Sequence, residues 1–179
     1  MRRYVYAGLA LTMIGAATEL PAQDTEWNRY SLEELGGVFV RAEASPACES
    51  AGLTGDVLRM ETESTLLEAE VEILTEQEML RNPALPELRI TVECAEGGST
   101  GFAYAVSVRV QQSVQMTRDP QVQLSEAVTW YTTTVGIGAS GSAAQEALQE
   151  STKGGVEEFA AAYVAANTAA ADPTGGSLR

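Results

Sequence analysis

Residues 101–116, GFAYAVSVRVQQSVQM, constrain the fold of this chain more than any other stretch. Phe102, Tyr104, Val106, Val108, Val110, Val114 and Met116 recur with a period of two and Gln112 alone interrupts them, which places the apolar set on one face of a β-strand. At about 3.3 Å per residue the strand would run roughly 50 Å, so part of it must project past the core or carry a bulge. The turn residues RDPQ then lead into a second β-branched stretch. A four-residue loop over 119–122 pairs Val114 with Ala127, Val110 with Tyr131, Val106 with Val135 and Tyr104 with Ile137, apolar face beside apolar face. The first expectation is therefore a long antiparallel hairpin over 101–138.

This register puts Val128 and Trp130 on the opposite face, near Gln111 and Arg109. Two readings are open for the tryptophan. A helix covers that face or a bulge turns the indole inward, as large aromatics usually require; otherwise Trp130, Arg109 and Val128 form a partner-docking patch.

Upstream, GVFVRAE alternates Val38, Val40 and Ala42 against Phe39, Arg41 and Glu43, which predicts a strand. Thr54 caps a weakly amphipathic helix to about Ala69, with Leu58, Leu66 and Ala69 on one face and Met60 and Leu67 off it. VEIL at 71–74 reads as a short strand, and Thr75 with Glu78 as a capping box for one helical turn ending before Pro83. LRITVEC, from Leu88, is a clear strand whose core face includes Cys94. After the hairpin a helix buries Ala144, Leu148, Val156, Phe159 and Tyr163, and Gly154-Gly155 within it calls for a kink or close packing. The order predicts an α+β two-layer sandwich: a mixed sheet with a long antiparallel C-terminal hairpin, and helices mainly on one face.

The chain opens with Arg2 and Arg3, then an apolar run to Ala17 and small residues suited to cleavage after Ala17 or Ala22. That run is shorter than the roughly 20 residues of a membrane span, so 1–22 reads as a secretory signal and no stable membrane insertion is expected afterwards. Residues 23–35 read as a flexible leader, 36–167 as a single domain and 168–179 as a disordered tail. Periplasmic or secreted localisation follows. In that oxidising compartment Cys48 and Cys94 form either a disulfide or two separate buried thiols. If the first and LRITVEC strands lie parallel, the two cysteines come within reach.

The formal net charge of −14 disfavours nucleic acid and anionic lipid as partners. Chemistry is sparse. The chain has no histidine, so the commonest general base and zinc ligand is missing. Gly136, Gly138 and Gly141 spell the dinucleotide pattern G-x-G-x-x-G, yet no second strand and no ribose carboxylate follow, and the glycines read as relief of crowding and a turn. The glutamates from 61 to 78 read as a solvated face rather than a metal site. No catalytic residue, metal or cofactor is expected.

GVFVRAE, the LLEAEVEIL passage and VSVRVQQSVQM, in this order, resemble small exported bacterial domains. The pattern is also similar in architecture to the N-terminal domain of the Tol translocation protein, curli-type assembly lipoproteins and auxiliary lipoproteins of transporters. The resemblance covers about residues 36–167 and implies an envelope-assembly accessory with an envelope protein partner; the lipidated cysteine of the lipoproteins is missing. Two functions are thus expected: a non-enzymatic interaction protein docking through the 101–138 hairpin, or a small-ligand carrier with a site between sheet and helices lined by Tyr104, Tyr131 and Tyr163.

Overall fold

The computed structural model describes residues 29–96, 101–138 and 142–170. The expected signal segment, most of the expected leader, the expected tail beyond 170 and Gly141 of the glycine pattern lie outside them. The elements run β1 (Phe39–Ala44), α1 (Pro46–Ser50), α2 (Gly55–Glu68), α3 (Glu76–Arg81), β2 (Glu87–Glu96), β3 (Phe102–Met116), β4 (Asp119–Gly138) and α4 (Ser142–Ala170). The four strands form one mixed sheet in the order β1-β2-β3-β4, parallel for the first pair and antiparallel for the others. The fold is α+β.

Local chemistry sets the helix ends. The Thr54 side chain accepts a hydrogen bond from the Val57 N–H, so an orphan donor at the start of α2 is satisfied. In α3 the capping box is complete: Glu78 takes the Thr75 N–H at 2.8 Å while Thr75 takes the Glu78 N–H. Met60 and Leu67 of α2 are exposed, and Leu58 and Leu66 are buried. VEIL does not form a strand. It contributes one parallel bridge, Val38 to Ile73, with Val71 buried beside it.

The crossover through α2 brings β1 and β2 together in parallel, Val40 opposite Leu88 and Ala44 opposite Val92. Cys48, in α1 just past β1, then bonds Cys94 with 5.3 Å between their Cα atoms. Of the two cysteine readings, the disulfide is the one that forms.

The core lies between the sheet and the helices. Val40, Leu88, Ile90, Val92, Val106, Val108 and Val110 are buried beneath Leu58 and Leu66 of α2 and Leu148, Val156 and Phe159 of α4. α4 continues unbroken through its two glycines because Gly155 packs on β3: a Cβ there would lie 2.9 Å from Val108 Cγ2. The expected disordered tail starts too early, since α4 extends to Ala170 with Ala166 buried. The expected leader runs too late. Leu32 and Leu35 are buried, and Gln112, the polar interruption of β3, donates to the Ser31 carbonyl at 2.8 Å and to Thr129 Oγ1 at 2.6 Å.

The hairpin register is also corrected. Val110 faces Trp130, Val106 faces Thr134 and Tyr104 faces Gly136, one residue from the expected pairing. Asp119 already pairs with Met116, so the turn is tighter than four residues; bulges near Gln115, Ser113 and Val110 then take up the extra length of β4. A one-residue shift exchanges the faces of a strand. Trp130 therefore points into the core, 2 % exposed and edge-on to Phe159 at 5.4 Å. Tyr131, Val135 and Ile137, expected inward, point outward.

Candidate functional site

The core packs against one side of the sheet, and alternation along each strand dictates what the other side, the open face among the described residues, presents. Register aligns its residues into rungs: Phe39, Glu87, Gln111 and Val128; then Arg41, Arg89, Arg109 and Tyr131; then Glu43, Thr91, Ser107 and Thr133. Beyond them Ala105 faces Val135 and Ala103 faces Ile137.

The central rung places three arginines side by side in a chain with a net charge of −14. Like charges at neighbouring positions repel. Glu87 offsets part of this: its carboxylate, buried on the sheet, takes Arg41 Nε at 2.9 Å and Arg89 Nε at 2.7 Å on its two oxygens. The hydrogen bond to Glu87, assisted by the charges of Glu87, Glu76 and Glu43, holds the Arg41 guanidinium above its ordinary pKa despite some burial. Arg109 has a different environment. One of its terminal nitrogens donates to Thr91 Oγ1 at 3.2 Å, whereas its Nε and, two residues on, Gln111 Oε1 are buried and make no hydrogen bond within the protein.

Along β4 the open face becomes apolar. Val128 is 48 % exposed, Tyr131 38 %, Val135 76 % and Ile137 87 %. The reason is steric as much as hydrophobic. The rings of Phe102 and Tyr104 lie over Gly138 and Gly136 on the helix side, where any Cβ on those glycines would meet the rings. Pairing that brings glycine under the rings turns Val135 and Ile137 to the outside.

Of the expected docking residues, Arg109 and Val128 share the open face, but Trp130 is excluded from it by burial against Phe159. The three tyrosines proposed for a ligand site do not meet. Tyr131 is on the open face, whereas Tyr104 bonds Ser151 at 3.0 Å and Tyr163 packs on Phe159, both on the helix side. A groove of about 450 Å³ lies between α2 and α4, where Gln149 donates to Glu61 at 2.6 Å and Thr62 Oγ1 is buried without a hydrogen bond. Among the described residues no three His, Cys, Asp or Glu side chains gather as metal ligands, and no helix is long and apolar enough to cross a membrane.

Sequence reasoning missed the arginine rung with Glu87. Its signal was present, since Arg41, Arg89 and Arg109 each occupy an outward position of an alternating strand. Aligning them required the register. Compared with known protein families and with curated proteins, the sequence matches none.

Proposed function

We propose that this chain is a non-enzymatic interaction protein of the periplasm or extracellular space that docks on a protein partner through the open face of the β3–β4 hairpin. The observation that carries this reading is the outward set Val128, Tyr131, Val135 and Ile137, which with Thr133 lines one face of β4 and is largely exposed. Isolated exposed apolar residues are ordinary, but an apolar strip bordered by a polar rung has the composition of a docking surface. The Cys48–Cys94 bond fits an oxidising compartment.

The test is chemical crosslinking in the native envelope, followed by mass spectrometry, for the wild type and for a Val135→Arg, Ile137→Arg double variant. Both positions are exposed, so the variant should melt within about 2 °C of the wild type. A recurrent crosslinked partner that disappears in the variant supports docking through this face. Equal capture by both proteins, or recovery of the monomer alone, overturns it.

A further inference from the structure

The groove between α2 and α4 is separate from the open face of the sheet and takes no part in the docking reading. We infer that it binds a linear polyamine, whose ammonium groups are held by Glu61, Glu68 and Glu150 and reach the Thr62 hydroxyl at its floor. Its volume of about 450 Å³ falls within the roughly 300–1,000 Å³ of small-molecule sites.

Thr62, Thr152 and Val156, all buried, form the floor of the groove. A threonine inside a helix commonly satisfies its hydroxyl on the carbonyl four residues back. Thr65 does so on Glu61 at 3.0 Å and Thr152 on Leu148 at 2.8 Å. Thr62 does not. It is 1 % exposed, and its Oγ1 makes no hydrogen bond within the protein. A buried hydroxyl left unpaired is costly, and its lone pairs can accept from an ammonium seated in the groove.

The walls set the charge of the ligand. Glu61, Glu68 and Glu150 line the groove against one ammonium, that of Lys153, which already lies 3.7 Å from Glu157. Among the described residues Glu68 and Glu150 make no ion pair or hydrogen bond through their side chains. Glu61 takes the Gln149 amide at 2.6 Å, and an ammonium, which bonds a carboxylate more strongly than a neutral amide does, can displace it. The three carboxylates do not gather as the ligands of one metal ion. A cation that suits them therefore carries its charges apart. Glu61 and Glu68 stand seven residues apart on one face of α2, about 10 Å along its axis. Ammonium groups separated by methylenes span such a distance, with the methylenes resting on Val156 and the threonine methyls of the floor. The net charge of −14 draws a polycation towards the chain from a distance.

Isothermal titration calorimetry of the purified chain with spermidine at low salt should show one saturable site. Glu68→Gln and Glu150→Gln should each weaken it about fivefold or more. Glu126→Gln, the same change of charge at an exposed position of β4, should leave it unchanged. Thr62→Val keeps the shape of the side chain and removes the hydroxyl. It should weaken binding about fivefold or more while the free variant melts no lower than the wild type, since an unpaired buried hydroxyl is gone. No saturable binding, an equal loss in Glu126→Gln, or full affinity in Thr62→Val overturns the inference. Tighter binding of tetralysine than of spermidine overturns a small polyamine as the occupant. Capture of a partner through Val135 and Ile137 is read separately by crosslinking, so either reading can fail without the other.

Discussion

Adjacent glycines in α4 should respond to the same substitution with opposite sign. Gly154 faces open space, and a methyl group placed there would meet nothing within 4 Å. Gly154→Ala therefore gains helix propensity alone, about 1 kcal/mol, or about 2–4 °C in melting temperature for a domain of this size. Gly155→Ala gains the same propensity but drives its methyl to 2.9 Å from Val108 Cγ2 and 3.5 Å from Thr132 Cγ2. Val108 is buried and β-branched, so it cannot rotate away, and overpacking of this kind costs about 1–3 kcal/mol. The net effect is a loss of up to about 2 kcal/mol. Urea unfolding of both variants measures the contrast, and repeating Gly155→Ala in a Val108→Ala background should restore the gain, because the opposing methyl is gone. If both alanines stabilise equally, or the Val108 background changes nothing, α4 does not seat on β3 as described.

Three other outcomes follow from single features. Replacing Cys48 and Cys94 with alanine should cost about 4 kcal/mol on the chain-entropy account, given a separation of 46 residues, and urea titration of the variant measures it. Trp130→Ala should cost about 3–5 kcal/mol, as for a core aromatic; a near-neutral result in the same assay would refute its burial on Phe159. Hydrogen bonds from the Thr75 N–H and hydroxyl hold the Glu78 carboxyl below its ordinary pKa of 4.5. A depressed carboxyl contributes stability above its unfolded value and loses it as pH falls through the folded one, so Glu78→Gln should flatten the stability-versus-pH curve below about pH 4.5 and leave its slope near neutrality unchanged.

The layered fold was legible where each strand carries one strong alternation. Leu88 to Cys94 and Phe102 to Val110 point where their period places them, and Thr54 and Thr75 start the helices their side chains cap. β4 was not legible in the same way. Its outward set, Tyr131, Thr133, Val135 and Ile137, is more apolar than its inward set, Trp130, Thr132, Thr134 and Gly136, so hydrophobicity favours the inverse of the true facing. What decides it is the fit of Phe102 and Tyr104 over glycine and of Trp130 against Phe159, contacts between distant residues that periodicity does not encode. The leader failed for a related reason. Leu32 and Leu35 are too few to form a pattern, and they are held by Gln112 and Asn167, whose donors reach the Ser31 and Leu32 carbonyls.

The two alternations of β4 bear on how the chain is made. β3 and β4 leave the ribosome before α4, and at that stage a hairpin offset by one residue sets Tyr104 against Ile137 and Val106 against Val135, a respectable set of pairs. Several groups that favour the native offset arrive later: Phe159 to receive the indole, Gly155 to admit Val108 and Thr132, and Ser151 to bond the Tyr104 hydroxyl. The fit against α4 thus decides between two offsets that the alternation of the hairpin alone leaves close.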